Sequence, residues 1–497
     1  MRLSNVKLIQ GGMGIYGSPS GLANLVARTD PRAMGVVSGT AIDNVMVAKL
    51  QLGDPSGDVR RALAAFPYPE VSKRITTKYF IDGGKEADRP FRRAPMVTAD
   101  PSVEVQQLLV AANFVEVWLA KEGHDGFVGI NHLTKITMPL LPSLYGALLA
   151  GVDCVIMGAG IPTAVPAVLD LLSEHKDATY KFDVKGAPRD SEYALHFSPK
   201  TILGDRNIQL QRPDFFPIVA SNALFTKFAK NSIPPVEGVI FEWYTAGGHN
   251  AGPRGRVVEH DKRGQPIYGK KDDVDFDAVV ARQQKVFEER EGLKVPFWLA
   301  GGRGSPEGLQ EALALGAVGI QVGTAFALSQ ESGFDPALRA RALDMVLQGG
   351  LDVHKNARIS PTDYPFNMGE IPGTLSEAAI YAARDRICDL SYLVVPYLKA
   401  DGTLGYRCAS EPVDKYLKKG GTIEETVGRG CLCNALFAAV AEGGSSLGQI
   451  RKKGTVPEPP VMTLGDKVMD VKQFFPSDES SVYSAADVVK TILGSSN

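Results

Sequence analysis

Short apolar runs alternate with helical patterns up to about residue 330, and this alternation predicts parallel βαβ units. Most runs are almost continuously apolar, such as CVIM, FPIVA and GVIFEW, as strands covered on both faces are. The predicted strands are Val6–Gln10, Gly35–Ser38, Phe127–Asn131, Asp153–Met157, Phe216–Ala220, Gly238–Glu242, Pro296–Ala300 and Val318–Val322. The predicted helices are Val103–Glu122, Ala164–Glu174, Phe276–Arg290 and Pro306–Leu315.

This order of elements predicts an α/β fold, either a (β/α)₈ TIM barrel or a large open sheet. The barrel is favoured because no GxGxxG follows the first strand, whereas glycine-rich segments follow the seventh and eighth, where barrels bind phosphate. Three polar, turn-rich excursions interrupt the pattern at Tyr68–Ala99, His175–Pro213 and Pro253–Asp273. We expect the later two to follow strands and to build loops over the catalytic mouth.

The alternation stops after Leu347, and a segment rich in turns and short helices follows. We therefore expect residues 1–345 to form the barrel and residues 346–497 to form a mixed, mainly helical accessory domain. A chain of 497 residues is long enough for two or three domains.

Composition narrows the class of protein. The 54 basic residues nearly balance the 56 acidic ones, so no charge excess indicates a nucleic acid or membrane partner. The N-terminus lacks a signal-peptide pattern and no apolar window reaches the length of a membrane span, so a cytoplasmic location is expected. The five cysteines fit a reducing compartment. Four lie in the C-terminal segment without a common ligand spacing, and we expect buried thiols there rather than a metal site: Cys388, Cys408, Cys431 and Cys433.

His249 is the strongest candidate for acid–base chemistry. It follows the sixth predicted strand in YTAGGHNAG, and the carboxyl ends of barrel strands form the catalytic face. Gly247 and Gly248 remove side chains beside it, so the backbone can approach a flat ligand closely. An imidazole gives or takes a proton near neutrality. The alternative is an ordinary hydrogen-bonded loop histidine, which the placement and the glycine pair disfavour.

A phosphate cup is predicted where the seventh and eighth strands end. Gly301 and Gly302 follow one strand, and Gly323 and Thr324 follow the other. Bare backbone N–H groups, the Thr324 hydroxyl and a following helix N-terminus would attract an anion there. Tight strand-to-helix turns also need glycine, so the indication rests on finding both halves in consecutive strands.

The remaining candidates follow the first and third strands. Gly11, Gly12 and Met13 would lie at the mouth, where Met13 could pack on an aromatic ring system. Asn131 offers a donor and an acceptor to the pyrimidine edge of a flavin, or else caps a turn.

Four motifs in this order resemble those of the nitronate monooxygenase family, formerly 2-nitropropane dioxygenases, and its superfamily relatives, the flavin-type enoyl-ACP reductases. They are QGGMG at 10–14, AGGHNAG at 246–252, AGGRG at 300–304 and QVGTAF at 321–326. The resemblance implies a barrel that binds flavin mononucleotide (FMN). It also implies that the cup glycines and Thr324 hold the phosphate and that His249 is catalytic.

The resemblance leaves the substrate open. Thr245 and Ala246 stand where the family has an acidic residue, and the C-terminal stretches at 406–421 and 428–436 resemble the trans-acting enoyl reductases of fatty acid and polyketide synthases. The first hypothesis is oxidation of alkyl nitronates with O₂. The alternative is NAD(P)H-dependent reduction of enoyl thioesters, with an acyl carrier protein as partner. A third, less favoured hypothesis is a flavin-binding subunit that only docks within a larger synthase.

Overall fold

Eight parallel strands close into a barrel in the computed structural model, which describes residues 3–204, 208–290, 292–451, 454–477 and 480–494. Each strand neighbours the next one along the chain, and the first pairs with the last. The strands are β1 Leu8–Gln10, β2 Ala33–Ser38, β3 Phe127–Leu133, β4 Cys154–Gly158, β5 Asp214–Val219, β6 Val239–Glu242, β7 Phe297–Ala300 and β8 Gly319–Val322. The predicted barrel is confirmed, and each predicted strand overlaps an observed one.

The barrel interior is a packed apolar core. Ile9, Met34, Ile156 and Ile240 are fully buried within it and come from four different strands. Trp298 of β7 is also fully buried; its ring stacks on Phe216 at 4.6 Å between centroids, and its Nε1 donates to the Val6 carbonyl at 2.8 Å. Because the interior is filled, a ligand has room only at the mouth.

Helices surround the barrel, and the four predicted ones are confirmed to within one residue at each end. The helix Ile42–Gln51 was not predicted because every one of its residues is buried, so it lacks the exposed polar face that gives an amphipathic helix its period. The α-helices are Ser20–Thr29, Ile42–Gln51, Asp58–Ala65, Pro69–Tyr79, Val103–Lys121, Leu140–Leu149, Val165–Ser173, Pro199–Leu203, Asn222–Asn231, Phe276–Glu289, Pro306–Ala314, Thr324–Ala327, Pro336–Leu347, Ala378–Ala383, Val413–Lys418, Ile423–Thr426, Leu432–Ala438 and Ala485–Leu493; Lys270–Asp272 and Val468–Phe474 are 3₁₀.

The helix Val103–Lys121 is long and apolar enough to cross a membrane by length and composition. In this fold 78% of its most apolar window is buried inside the protein, against the helices at Leu140–Leu149 and Ser20–Thr29 among others. Its apolar surface is therefore used in packing, as in the core helix of a soluble protein.

Two excursions differ from expectation. The first contains a regular helix, Pro69–Tyr79, because Pro69 opens it and Val71, Ile75 and Tyr79 form a buried face. The second, His175–Pro213, was expected to follow a strand, and this is wrong: it follows the helix Val165–Ser173 and carries a hairpin. The third does follow a strand, β6, and packs against the C-terminal segment, where Gln265 Oε1 accepts from the Lys355 N–H at 2.7 Å.

The C-terminal segment combines short strands and short helices and packs against the barrel. Its helix Ala485–Leu493 contacts the helix Ser20–Thr29. The division into two domains at residue 345 stays a prediction. The strands outside the barrel are Ala178–Lys181, Ala194–Phe197, Gly248–His249, Val353–Asn356, Phe366–Gly369, Val395–Leu398, Leu404–Arg407, Ala441–Glu442 and Ser445–Ser446.

A buried ionic cluster joins the C-terminal segment to the barrel. The Lys49 side chain is only 5% exposed; its Nζ lies 3.2 Å from a Glu442 carboxylate oxygen and 3.0 Å from the Tyr16 hydroxyl. Tyr16 in turn donates to Glu442 at 2.7 Å. Lys49 and Glu442 therefore compensate each other's charge across the junction, with the carboxyl of Glu116 close by.

We predict that Glu442→Gln lowers the free energy of unfolding by about 2 kcal/mol, because the buried Lys49 ammonium loses a half-buried charged partner and keeps the carboxyl of Glu116. The matched control is Glu86→Gln, which breaks an exposed pair with Arg89 and should cost less than about 1 kcal/mol. Urea denaturation of both variants measures the difference. Equal losses in the two would contradict a role for the cluster in joining the parts.

Candidate functional site

Two adjoining cavities lie at the carboxyl ends of the barrel strands. Both are lined by Gly12, Met13, Glu242, Gly247 and Thr463, so they form one continuous recess across the mouth. Every residue predicted from the sequence lines one or both of them: Gly11, Gly12, Met13, Asn131, Gly247, Gly248, His249, Gly301, Gly302, Gly323 and Thr324. The structure thus brings together residues that lie more than 300 positions apart in the sequence.

The predicted phosphate cup forms one end of the recess. Gly301 and Gly302 adopt φ of +91° and +69°, values that L side chains rarely take, and a Cβ on Gly301 would lie 2.9 Å from Thr245 Oγ1. Gly323 differs, because a Cβ built there meets nothing within 4 Å. The Thr324 hydroxyl accepts a hydrogen bond from the Gly465 N–H at 2.9 Å, which leaves its own proton available as a donor.

Two cations beside the cup were missed by the sequence analysis. Arg303 and Lys467 both line this end of the recess. Arg303 sits over the Trp243 ring at 5.0 Å. Because it follows the glycine pair directly in AGGRG, the motif itself could have indicated a cation at the cup. Lys467 comes from the C-terminal segment, 165 positions after Gly302, and no local pattern places it here.

Asn131 and Gly12 meet at the wall between the two cavities. Asn131 Nδ2 donates to the Gly12 carbonyl at 2.9 Å, which uses one of its two N–H donors. A Cβ on Gly12 would lie only 2.3 Å from the Asn131 Cβ, which requires glycine there. The buried Oδ1 of Asn131 accepts no hydrogen bond from the described residues, and the same holds for Oε1 of Gln321. Both are free acceptors in the walls of the recess.

The C-terminal segment holds His249 in place. Gly248–His249 form a short antiparallel pair with Phe366–Gly369, in which His249 lies opposite Phe366. The two rings meet edge to face at 4.9 Å. The buried Asn367 Nδ2 donates to the Ala246 carbonyl at 2.7 Å, just before the glycine pair. Backbone pairing thus fixes the histidine loop, which the sequence analysis had related only to β6.

Gly247 and Gly248 meet two backbone requirements in this loop. Gly248 has φ of +79°, and a Cβ on Gly247 would lie 3.0 Å from the Leu464 backbone. The two glycines therefore let the backbone at Leu464 pack closely against this loop, and they also leave room in the recess.

The imidazole of His249 is neutral at ordinary pH. Its Nε2 lies 2.7 Å from the Ser360 hydroxyl, in a half-buried position facing the recess. Burial, and secondarily the positive charge of Lys135, lower the pKa of His249 to about 3. The ring therefore acts as a hydrogen-bonding group with one N–H and one free nitrogen lone pair, rather than as a fixed cation.

Glu242, at the end of β6, is a further side chain that the sequence analysis missed. It lines both cavities, and among the described residues it has no hydrogen-bond or ion-pair partner. Burial raises the pKa of its carboxyl to about 8. The sequence could have indicated this residue, because Glu242 ends the apolar run GVIFE and so lies where β6 opens onto the mouth.

The cover of the histidine end comes from the C-terminal segment. Tyr392, Leu393, Cys433 and Leu436 line the cavity around His249. No described residue of 175–213 or 253–273 lines either cavity, although both excursions were expected to lie over the mouth. Cys408, Cys431 and Cys433 are buried free thiols and Cys388 is half-buried. Within the described ranges no three His, Cys, Asp or Glu side chains form a metal-binding group.

A comparison with protein families matches the part of the chain that contains His249 and the glycines after β7 and β8. Residues 236–350 match the family model for nitronate monooxygenase. The resemblance noted from the motifs is confirmed over this segment, which contains His249 and the whole phosphate cup. This segment of the chain is thus similar to nitronate monooxygenases. No curated protein matches the chain.

Solved structures whose backbones follow a similar course include an enoyl reductase domain and a nitroalkane oxidase. FabK from Thermotoga maritima has 14% identity over 99% of this chain and 92% of its own, with a TM-score of 0.45. A nitroalkane oxidase from Streptomyces ansochromogenes has 12% identity over 99% and 97%, with a TM-score of 0.45. The enoyl reductase domain of MlnA from Bacillus amyloliquefaciens has 9% identity over 98% and 94%, with a TM-score of 0.49. Likeness at this level does not distinguish between the two activities.

We predict that the Glu242 carboxyl makes the ligand-free protein less stable as the pH rises. The group has a higher pKa folded than unfolded, so the folded state binds more protons between about pH 4.5 and 8 and its stability falls across that window. Glu242→Gln should therefore exceed the wild type in unfolding free energy at pH 8 by about 1 kcal/mol or more, and match it near pH 4.5. Urea denaturation at both pH values measures this. A constant difference at the two pH values would contradict the raised pKa.

Proposed function

We propose that this chain is an FMN-dependent oxidoreductase of the nitronate monooxygenase type, which oxidises alkyl nitronates with O₂. The observation that carries the proposal is the continuous recess that joins an anion-binding cup at β7 and β8 to His249 beyond β6. A cup at one end and a histidine at the other suit a ligand with a terminal phosphate and a reactive ring.

The cup fits the FMN phosphate. Gly301, Gly302 and Gly323 line the cavity without side chains, so a phosphate could reach their backbone N–H groups, and Thr324 retains a hydroxyl proton to donate. Lys467 would add a positive charge beside them. Amides together with a cation are a general means of holding a phosphate dianion.

The middle of the recess fits the polar parts of the flavin. Asn131 Oδ1, Gln321 Oε1 and the Glu242 carboxyl lack donors among the described residues, and a ribityl chain with a pyrimidine edge brings hydroxyl and N–H donors. Met13 also lines both cavities and could pack on the ring face.

FMN, when bound, would supply the electron-transfer chemistry that amino-acid side chains lack. The chain itself would bind and orient the substrate. The neutral ring of His249 would donate a hydrogen bond to the anionic nitro group, and the nearby positive charge of Lys135 would favour an anion at this end of the recess. The apolar cover formed by Leu393 and Leu436 would exclude water.

One observation favours a second candidate, NAD(P)H-dependent reduction of enoyl thioesters. The C-terminal segment lines the histidine end with Tyr392, Leu393, Cys433 and Leu436, a larger apolar wall than a small nitronate requires. An acyl chain would fill that wall, and His249 would supply the proton that completes reduction. An acyl carrier protein is the partner that this candidate implies.

Gly323→Ala tests the cup. Because a Cβ at this position enters open space and the residue has φ of −107°, the variant should fold normally. Its methyl group should obstruct the phosphate and weaken FMN binding about 10- to 100-fold, the loss expected for a charge-assisted hydrogen bond. Gly21→Ala is the matched control, since a Cβ there also meets nothing within 4 Å. Flavin fluorescence titration measures both; equal affinities in the two variants would contradict the cup assignment.

Anaerobic mixing of the FMN-loaded protein distinguishes the two candidates. With propionate 3-nitronate the flavin spectrum should change, and with NADPH alone it should stay oxidised, if nitronate oxidation is the activity. Rapid bleaching by NADPH followed by recovery on adding a crotonyl thioester would instead establish the reductase. A protein that binds no FMN at all would contradict both candidates.

A further inference from the structure

A row of polar side chains leads from His249 away from the recess. His249 Nε2 lies 2.7 Å from Ser360 Oγ, and Ser360 Oγ lies 2.7 Å from Thr362 Oγ1. Lys135 Nζ donates to Thr362 Oγ1 at 3.1 Å. Lys135 lies two residues beyond the end of β3, whereas the two hydroxyls belong to the loop between Val353–Asn356 and Phe366–Gly369. Side chains from three separate parts of the chain thus form one unbroken hydrogen-bonded row.

The chemistry of the groups allows one continuous direction for these hydrogen bonds. An ammonium group only donates, so the Thr362 hydroxyl accepts from Lys135 and can donate its own proton to Ser360. Ser360 Oγ also receives the main-chain N–H of Thr362 at 3.2 Å, which fills its second acceptor position. In this orientation both acceptor positions of Ser360 are filled, and its proton goes to His249 Nε2. The ring proton of His249 then lies on Nδ1. Among the described residues Nδ1 has no hydrogen-bond partner, and the His249 side chain lines the recess.

We propose that Lys135, acting through Thr362 and Ser360, resupplies the proton that His249 Nδ1 donates to a bound substrate. This rests on the second candidate of the proposed function, in which His249 supplies the proton that completes reduction of an enoyl thioester. In the step, the Nδ1–H bond breaks as the proton joins a substrate atom that gains negative charge. His249 Nε2 takes the Ser360 proton, Ser360 takes that of Thr362, and Thr362 takes one from Lys135. His249 is then protonated on Nε2. When the product leaves, Nδ1 takes a proton from solvent and Nε2 returns its proton through Ser360 and Thr362 to the neutral Lys135 amine, so the starting state is restored and no electrons are exchanged.

The surroundings of Lys135 suit this role. Its side chain is half-buried, and its amine donates to Thr362. The charged and titratable groups around it are Asp363 and His249, and its ammonium lies over the Tyr364 ring. Burial lowers the pKa of Lys135 to about 7, against the opposing effect of Asp363, so the amine exchanges a proton near neutrality.

The loop that carries the hydroxyls is held rigidly. Ser360 is fully buried, and the buried guanidinium of Arg429 donates to the main-chain carbonyls of Ser360 and of Arg358. Arg429 also pairs with Asp363. Arg429 belongs to the GRGCLCNAL stretch, so that C-terminal motif acquires a physical role in fixing the relay. Lys135, Thr362 and Ser360 are therefore positioning residues that act through His249.

The first test reads the tautomer of His249 and needs no turnover. Nitrogen-15 NMR of histidine-labelled protein, with His249→Gln to assign the signal, should show the proton on Nδ1 in the wild type. Thr362→Val removes the hydroxyl while keeping the shape, so it should leave Ser360 without an oriented donor and give a mixture of tautomers. Thr362→Ser should restore the Nδ1–H form. A wild-type ring protonated on Nε2 would overturn the proposal whether or not the protein binds FMN.

The second test separates proton supply from orientation. Lys135→Arg keeps a permanent donor to Thr362, so the NMR tautomer should be unchanged, but an arginine does not release a proton near neutrality. With the FMN-loaded enzyme, a crotonyl thioester and NADPH, kcat should fall about 10- to 100-fold in Lys135→Arg, Lys135→Met and Thr362→Val. KM should stay within about twofold, because none of these side chains lines the recess.

The pH profile completes the test. Wild-type kcat should decline as the pH rises through about 7, where Lys135 loses its proton, and this limb should be absent in Lys135→Met. A Lys135→Arg variant with the same kcat as the wild type would overturn the relay, and so would a Lys135→Met variant whose kcat still declines as the pH rises through about 7. Neither result would affect the FMN assignment. Failure of the wild type to bind FMN or to react with either substrate would instead count against the proposed function.

Discussion

The closure of the barrel by parallel pairing of β1 with β8 is the constraint on which the rest of the site depends. Gln10 lies opposite Val322, and the Gly11 N–H donates to the Val322 carbonyl at 2.7 Å just beyond the paired residues. That register brings the first glycine motif beside Gly323, although they are separated by almost the whole barrel sequence. Since every strand is parallel, all eight carboxyl ends open onto one rim, and cup and histidine can share a single recess.

The C-terminal segment turns this open rim into an enclosed site. It pairs its own strand with Gly248–His249, supplies Lys467 to the cup and covers the histidine end with apolar side chains. The buried Lys49–Glu442 pair fixes the same segment to the outside of the barrel. Separating the segment from the barrel would expose charged groups that now compensate each other, so the site and the stability of the fold depend on the same junction.

The sequence predicted the parts of the site that local rules determine. Buried parallel strands read as continuous apolar runs, and glycines after them mark places where side chains do not fit; the space around Gly12 and the φ of Gly301 give the physical reason. Pairings between distant side chains leave no local pattern. Lys135 meets Thr362 across 227 positions, and nothing around either residue indicates the other. The fully buried helix Ile42–Gln51 was missed for a related reason, because without a polar face it has no period.

The burial that makes His249 a poor cation also explains why it needs partners. A histidine held neutral in an apolar site cannot store an extra proton, so any proton that it gives to a substrate must be replaced through its second nitrogen. Water would serve on an exposed ring, but the cover from Leu393 and Leu436 and the edge of Phe366 restrict access on that side. Ser360, itself fully buried, occupies the position next to Nε2 where water would otherwise be required. In the proposed relay, excluding solvent from the substrate and supplying a proton through hydroxyls would therefore be two consequences of the same packing.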